Sequence, residues 1–320
     1  MTLALLFSPQ GSQAVGMGRD LADAYPGARS AFAEADAALG WPVSGLAWDG
    51  PEERLNDTRQ TQPCLVTTSV ACLRALEGRL ADAGQRLQPA FVAGHSVGEY
   101  AALVAAGTLS LADAVRVVAQ RGVLMASAAV EGGMHAVIGL DREAVAAAVS
   151  SLGRQDLVVA NDNAPGQVVI SGSSDALGAA EAALREAGAR RVIPLRVSGP
   201  FHSPLMAAAG RALAEAFAAV SWRDADPPVV SNVTGEPVRD AARIRDLLAR
   251  QVSSPVEWVR SVRRMMADGV DTFVELGPGA ALTGMVRRIA PEARTLNVAD
   301  GQSLDATVAA LAGVPAEASV

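Results

Sequence analysis

Residues 89–98 read PAFVAGHSVG, an apolar run that leads into a Gly-x-Ser-x-Gly turn and then into a helical pattern. A buried strand, a sharp turn and a helix are the context in which this motif forms a nucleophile elbow. Flanking glycines let the backbone take a path that side chains would obstruct, which leaves the Ser96 hydroxyl exposed. The first N–H groups of the helix can hold an oxyanion beside it. The stretch predicts an α/β fold with Ser96 as a nucleophile; the alternative is an ordinary glycine-rich turn.

The composition excludes several functional classes. All 27 basic residues are arginine, so neither a Schiff-base lysine nor a lysine general base is available. A net charge of −7 argues against nucleic acid as a bulk partner. The apolar runs are far shorter than the roughly 18 residues of a membrane span, and Met1–Phe7 lacks the basic segment of a signal peptide. Cys64 and Cys72 have no partners at metal-ligand spacing, so we expect a cytoplasmic protein with reduced core thiols.

The order of elements predicts two structural units. Strands alternate with helices over most of the chain, which indicates an α/β-hydrolase-like domain with a mostly parallel sheet covered on both faces. Between Met134 and Arg196 the order becomes β-α-β-β-α-β, the ferredoxin-like split unit. We therefore assign residues 1–128 and 199–300 to a large core domain. Residues 129–198 form a small inserted lobe, and residues 301–320 form a C-terminal tail with a short helix.

Turn and capping signals give the bounds of the elements in the large domain. A long helix with apolar periodicity, closed by Gly84, is predicted from Pro63 to about Ala83. Another helix is predicted at Leu111–Ala126. Residues 42–56 are expected to be a loop, and residues 203–219 one helix, with Ser203 as its cap.

Three histidines are candidates for the base that Ser96 needs. His95 is its neighbour, and adjacent side chains diverge at a strand end. His135 opens a strand of the small lobe and is consistent with a surface residue. His202 lies in an irregular loop where the chain returns to the main sheet, so elimination favours it. No carboxylate is identified as a third member, because Glu99, in the first turn of the elbow helix, is interpreted as stabilising the helix dipole.

Beyond the serine turn, the chain carries further motifs in a fixed order. They are QGSQ at 10–13, GHSVGE at 94–99, Arg121-Gly122 with Met125, GPFHS at 199–203, Asn232-Val233, Gln251 before PVEW at 255–258, and ELGPG at 275–279. Together they resemble the malonyl-CoA:acyl-carrier-protein transacylases and the acyltransferase domains of polyketide synthases. The resemblance runs from about residue 3 to 290 and is more specific than any single motif.

The resemblance implies ping-pong acyl transfer. Ser96 would take a malonyl group from coenzyme A and pass it to the phosphopantetheine thiol of an acyl carrier protein. His202 would be the base, and a backbone carbonyl near Gln251 would orient its imidazole in place of an acid. The backbone N–H groups of Gln10 and Val97 would hold the oxyanion.

The resemblance also implies substrate-binding side chains. Arg121 would clamp the free carboxylate of the malonyl group through two parallel N–H donors; a solvated arginine late in its helix is the alternative. Met125 belongs to the same set. In related domains, a branched residue after the serine and phenylalanine before the histidine accompany malonyl rather than methylmalonyl, and Val97 and Phe201 fit that pair. An apolar pocket distinguishes one methyl group by only about 1–3 kcal/mol.

One position departs from the family pattern. The family loop after the first strand reads Phe-Pro-Gly-Gln-Gly, whereas residues 7–11 read FSPQG, which puts Pro9 at the usual glycine. Proline fixes φ near about −65°. If the loop needed a positive φ at this position, it would shift and displace the N–H of Gln10.

The implied chemistry predicts two partners, a coenzyme A thioester and an acyl carrier protein. It involves no metal, cofactor, nucleic acid or membrane, and we expect the enzyme to be a monomer. Because carriers are acidic, arginines near the site entrance are docking candidates, although a solvated face explains them equally well. They are Arg190, Arg191, Arg196, Arg287 and Arg288. Two other functions stay open. One is an acyl hydrolase in which water takes the acyl group, and the other is a non-catalytic carrier-docking module.

Overall fold

The apolar segment Leu3–Phe7 is a central strand of the large sheet in the computed structural model, which describes residues 1–128 and 130–312. The strands are β1 (Leu3–Phe7), β2 (Phe91–Gly94), β3 (Gly132–Ile138), β4 (Leu157–Ala164), β5 (Gln167–Ser173), β6 (Arg191–Pro194), β7 (Val229–Val230), β8 (Pro237–Val238), β9 (Thr272–Leu276) and β10 (Arg294–Val298). The helices are α1 (Arg19–Ala24), α2 (Pro26–Leu39), α3 (Val43–Asp49), α4 (Glu52–Leu55), α5 (Thr58–Asp82), α6 (Gly98–Ala105), α7 (Leu111–Ala126), α8 (Arg142–Ser151), α9 (Ser174–Glu186), α10 (Ala207–Ala216), α11 (Ala241–Gln251), α12 (Trp258–Ala267), α13 (Ala281–Ile289) and α14 (Gly301–Ala312).

The large sheet has six strands in the order β10-β9-β1-β2-β7-β8. All neighbouring strands are parallel except β7 and β8, which form an antiparallel pair at one edge. The predicted α/β class with a mostly parallel sheet is confirmed. Parallel order places the carboxyl ends of β1, β2, β7 and β9 at one edge of the sheet, where binding sites of such folds form.

Both faces of this sheet are covered by helices. Along β1, Leu5 and Phe7 point into the core that contains α2, α5, α6 and α7. Ala4 and Leu6 point the opposite way and pack with residues of α12 and α13, among them Trp258. This alternation along a fully buried strand explains why its sequence is apolar throughout.

The small lobe is a separate antiparallel sheet with the strand order β4-β5-β3-β6. This is the order of the predicted ferredoxin-like unit. Val137 and Ile170 of the sheet pack with Val145 of α8 and Leu177 of α9, so the two helices cover one face. The lobe thus has a core of its own beside the large sheet.

Two predicted bounds at the start of the chain are wrong. The predicted loop 42–56 contains the short helices α3 and α4. Helix α5 begins at Thr58 rather than Pro63, because the side chain of Asp57 accepts a hydrogen bond from Arg59 N at 2.9 Å and caps the helix there. Pro63 therefore lies inside the helix.

The second half of the chain also differs from the prediction. The expected helix 203–219 is α10 between two 3-10 turns, and the hydroxyl of Ser203 donates to Pro200 O at 2.6 Å instead of capping. Strands β8 and β10 were not predicted, since β8 has two half-buried residues and only the last residue of β10 is buried. In the predicted tail, α14 begins at Gly301 and buries Leu304; residues 313–320 lie outside the described part.

Candidate active site

The site forms where three parallel strands end side by side. The loop that follows β1 carries Gln10, the turn after β2 carries Ser96, and Asn232 follows β7. Helix α7 adds Arg121, and the loop before α10 adds His202. Residues separated by more than 200 positions in the chain thus meet at one edge of the sheet.

Close backbone approach explains the glycines of the serine turn. A Cβ on Gly98 would overlap the carbonyl of Phe7, and one on Gly94 would overlap the backbone of Gly98. The unusual backbone angle falls on the serine itself, whose φ is +52°. A positive φ is strained for serine, so neighbouring groups must hold the turn in place.

The side-chain amide of Asn232 spans that turn. Its Oδ1 accepts from Ser96 N at 2.6 Å, and its Nδ2 donates to Gly94 O at 2.6 Å. The same side chain therefore satisfies one backbone group on the serine and one two residues before it. The sequence pattern includes Asn232 in a motif but predicts no role for it.

Ser96 and His202 lie in hydrogen-bonding contact, with Oγ 2.8 Å from Nε2. The histidine Nδ1 faces two carbonyl oxygens, Gln251 O at 3.0 Å and Ser254 O at 3.2 Å. Carbonyls only accept, so Nδ1 carries the proton and Nε2 is free to accept one from the serine. Burial, together with the nearby Arg121 charge, lowers the pKa of His202 to about 3. The imidazole is therefore a neutral base at neutral pH.

The two backbone N–H groups expected at the oxyanion site have no acceptor within the described residues. These are the N–H of Gln10 and that of Val97, which precedes the first residue of α6. Within residues 7–11 the positive φ lies at Gly11, at +99°, and not at Pro9. The loop thus accommodates the proline, and Nε2 of Gln10 donates to Thr58 Oγ1 at 3.1 Å.

Arg121 is 1% exposed, and its guanidinium contacts Ser96. One terminal nitrogen, NH2, donates to Ser96 Oγ at 3.0 Å and to Oε1 of Gln251 at 2.9 Å. The other, NH1, donates to Oε1 of Gln62 at 2.8 Å. Its Nε is buried without a partner among the described residues. The alternative of a solvated arginine is wrong.

The remaining expected substrate-binding residues are sequence neighbours of Ser96 and His202, here called the dyad, or lie on the same helix as Arg121. Val97, Met125 and Phe201 are all buried. Nε2 of Gln62 lies 3.6 Å from the sulfur of Met125, which links that methionine to the Arg121 contacts. Gln62 was not found from the sequence, since it is one of many polar residues on a long helix.

The other two histidines lie outside the dyad. Nε2 of His95 is 2.8 Å from Oδ1 of Asn163, a residue of β4 in the small lobe, and its ring packs against Trp258. Burial lowers the pKa of His95 to about 4. His135 is half-buried on β3, as expected for a residue at the surface of the lobe.

Glu99 lies deeper than its position in the first turn of α6 suggested. It is 3% exposed, and its Oε2 accepts from Gln251 Nε2 at 2.7 Å and from Asn232 N at 3.2 Å. Burial raises the pKa of this carboxyl to about 7. Its partners come from distant parts of the chain, so no local pattern could have revealed them.

Residues 1–128 and 130–312 contain neither a candidate metal cluster nor a candidate membrane-spanning helix. That part of the chain has no group of three or more His, Cys, Asp or Glu side chains arranged to hold a metal ion. None of its helices is both long and apolar enough to cross a bilayer.

Known proteins are similar to this chain in both sequence and fold. Residues 4–314 match the family model described as acyl transferase domain. The chain is 42% identical over 313 residues to a malonyl CoA-acyl carrier protein transacylase of Bacillus subtilis, covering 97% of each chain. It is 46% identical over 289 residues to the Escherichia coli K12 protein of that name, covering 89% of this chain and 92% of the relative.

Solved structures agree with these relatives. An acyl carrier protein S-malonyltransferase from Vibrio cholerae superposes with a TM-score of 0.91 at 42% identity, covering 96% of this chain and all of that one. A malonyl-transacylase in complex with a type II polyketide synthase acyl-carrier protein superposes with a TM-score of 0.91 at 40% identity, over 98% of this chain and all of that one. The chain belongs to the acyl transferase domain family, among the malonyl CoA-acyl carrier protein transacylases.

Proposed function

We propose that this protein transfers a malonyl group from coenzyme A to the phosphopantetheine thiol of an acyl carrier protein, through an ester on Ser96. The names of its relatives and the carrier complex of one structural neighbour support the substrate and the acceptor. The neutral imidazole of His202, 2.8 Å from the serine, supports the covalent route.

The observation that carries the choice of acyl group is the environment of Arg121. Its guanidinium is buried, and all three of its acceptors are neutral: a serine hydroxyl and two glutamine amides. No carboxylate forms a hydrogen bond with this guanidinium, because Glu99, the nearby carboxyl, reaches it only through the side chain of Gln251. A buried charge without a directly bonded counter-ion is costly, on the order of several kcal/mol. A malonyl group on Ser96 would bring its free carboxylate within reach of the same guanidinium and supply that counter-ion.

The geometry supports two matched half-reactions. In the first, Nε2 of His202 takes the Ser96 proton while Oγ forms a bond to the thioester carbonyl carbon. The N–H groups of Gln10 and Val97 stabilise the oxyanion, the carbon–sulfur bond breaks, and coenzyme A leaves as a thiol with that proton. In the second, His202 takes a proton from the carrier thiol, the sulfur attacks the ester carbonyl, and Ser96 regains its proton.

The carrier needs a complementary surface near the opening. None of the five candidate arginines has an ion-pair partner within the described chain. Arg288 donates to Gln167 Oε1 at 2.7 Å and Arg287 to Thr295 Oγ1 at 3.0 Å, whereas the exposed side chains of Arg190, Arg191 and Arg196 make no hydrogen bond with the described residues. The last three are therefore the better docking candidates, since their guanidinium groups can meet an acidic partner without giving up an existing contact.

Three further points belong to the proposal. The reaction needs no cofactor, because the proposed chemistry uses only side chains, backbone N–H groups and two thiol carriers. The enzyme acts in the cytoplasm, where Cys64 and Cys72, both buried free thiols with pKa values raised to about 12 by burial, stay reduced. It acts as a monomer, which sedimentation at working concentration tests.

A transfer assay tests the function against its alternatives. Malonyl-CoA labelled in its malonyl group is incubated with the enzyme and with either a phosphopantetheinylated carrier or the same carrier without the arm. Label on the first carrier only is the expected result. Label released as free malonate with an unmodified carrier would point to the hydrolase, and no turnover with carrier binding would point to a docking module.

A further inference from the structure

One buried ionisable group has no part in the proton transfers derived above. The carboxyl of Glu99 lies beneath the serine turn at 3% exposure, with its Oε2 close to two different amide donors. Burying a carboxyl costs free energy unless hydrogen bonds compensate for the lost water. The contacts of Glu99 therefore indicate its role.

Both donors to Glu99 also hold the backbone of Ser96. Asn232 donates its backbone N–H to Oε2 at 3.2 Å, while its side-chain Oδ1 accepts from Ser96 N at 2.6 Å. Gln251 donates from Nε2 to Oε2 at 2.7 Å and to Ser96 O at 3.0 Å. The amide group and the carbonyl of the strained serine are thus fixed by two residues that converge on one oxygen atom.

Gln251 extends the same connection to the base and to the guanidinium. Its backbone oxygen accepts from Nδ1 of His202 at 3.0 Å, and its side-chain Oε1 accepts from Arg121 at 2.9 Å. The orientation of the Gln251 side chain is therefore set by the acceptors of its Nε2 and by Arg121, the donor to its Oε1. Glu99 supplies one of those acceptors.

We propose that Glu99 is a positioning residue that holds Ser96 and His202 in reactive alignment by offering one fixed acceptor oxygen to both Gln251 and Asn232. The inference rests on the proposed function of Ser96 as nucleophile. The proposal attributes the effect of Glu99 on this alignment to the position of its Oε2 atom and not to its negative charge. Burial raises the pKa of Glu99 to about 7, so both protonation states occur near neutral pH, and Oε2 can accept in either one.

The test measures the alignment itself, without malonyl-CoA or carrier. A fluorophosphonate reacts when the serine oxygen bonds to phosphorus and fluoride leaves, while the histidine takes the serine proton. Its rate of attachment to Ser96 is compared between the wild type, Glu99→Gln, Glu99→Asp and Glu99→Leu, after thermal melting has shown which variants fold. Glu186→Leu, at the exposed end of α9 in the other lobe, is the matched control.

The Gln variant keeps an oxygen at the same place, so its rate should stay within about threefold of the wild type. The Asp variant keeps the charge but withdraws the oxygen, and Leu removes it, so both should react about 10²-fold more slowly, as expected for a small misplacement of reacting groups. If the Glu99→Leu variant does not fold, the rates of Glu99→Gln and Glu99→Asp still compare an acceptor oxygen kept in place with one that is withdrawn.

If Glu99→Gln reacts slowly and Glu99→Asp reacts fast, the negative charge and not the place of the oxygen matters, and the proposal is overturned. Equal rates in all folded variants would show that Glu99 has no positioning role. A wild type that is inert to the probe would overturn the proposed nucleophile and this inference together. Equal rates with an active wild type would leave the proposed function standing, so the two failures are distinguishable.

Discussion

At the scale of single residues, both members of the dyad have unusual backbone angles. The φ angles of Ser96 and His202 are +52° and +56°, and they are the two positive values at non-glycine residues within the described chain. Each such angle costs about 1–3 kcal/mol, which the surrounding contacts must offset. Those contacts include His202 N donating to Val252 O at 3.0 Å and Ser96 N donating to Asn232. The alignment is therefore built into the protein before substrate binds.

The pKa of His202 predicts how the reaction responds to acid. An unperturbed histidine takes up a proton near pH 6.5, but burial and Arg121 lower the pKa of this one to about 3. A lowered pKa keeps the base neutral as the pH falls, so kcat/KM for Ser96 acylation should change by less than about twofold between pH 8 and 5. The measurement is the pH profile with malonyl-CoA. A tenfold loss per pH unit below 6.5 would contradict it.

Arg121 predicts a difference between acyl donors. Replacing it with alanine removes the charged donor to the malonyl carboxylate, and one hydrogen bond from a charged donor is worth about 1.5–3 kcal/mol. Arg121→Ala should therefore lower kcat/KM for malonyl-CoA roughly 10- to 100-fold relative to acetyl-CoA, which has no such carboxylate. Acetyl-CoA measured on the same variant is the control for general damage. Equal losses with both donors would show that Arg121 does not clamp the carboxylate.

At the scale of elements, capped amphipathic helices could be predicted and helices without such signals could not. Helix α7 has the predicted bounds because Ser110 accepts from Asp113 N at 3.0 Å and starts it. Helix α3 has no side-chain cap, and Pro63 suggested a helix start that lies five residues too late. Packing against α5 decides the formation of α3, which a local pattern does not contain. The start of α5 was missed although a local signal, the cap residue Asp57, stands just before it.

The cap of α5 gives a prediction about stability. Asp57→Ala removes the acceptor for Arg59 N and should lower the free energy of unfolding by about 1 kcal/mol. Asp82→Ala, at the exposed last residue of the same helix, is the control and should not lower the free energy of unfolding, since a negative charge is unfavourable at that end. Urea unfolding of the full chain measures both. Equal effects would mean that Asp57 does not act as the cap.

The same division holds for the site residues. Ser96 could be predicted because its turn is a local motif, and His202 because only three histidines compete. Glu99, Gln62 and Asn163 could not, because their partners lie 152, 59 and 68 residues away, respectively. These three residues reach the site only through the tertiary fold, which a local sequence pattern does not contain.

At the scale of the whole molecule, the small lobe is fixed to the large domain beside the site. Asn163 of β4 contacts His95, the residue before Ser96, and Asp162 N donates to Val256 O at 3.1 Å. Arg142 of α8 forms a two-pronged ion pair with Glu257, which lies just before α12. These contacts make the position of the lobe part of the active-site geometry.

The ion pair between the lobes gives a further prediction. Glu257→Gln should lower the free energy of unfolding by about 1 kcal/mol, because the pair is partly exposed and screened by water. Amide hydrogen exchange should rise in β4 more than in β9. Glu181→Gln, which removes an exposed pair with Arg185 inside the lobe, is the control and should leave exchange in β4 unchanged. No difference between the two variants would contradict a role in fixing the lobe.

The most direct test of the account is the mass of the intact protein after brief incubation with malonyl-CoA, followed by addition of a phosphopantetheinylated carrier. The account predicts an adduct of malonyl mass on the wild type and none on Ser96→Ala, with the adduct passing from the wild type to the carrier. An adduct that persists on Ser96→Ala, or one lost to water while the carrier stays unmodified, would contradict malonyl transfer through Ser96.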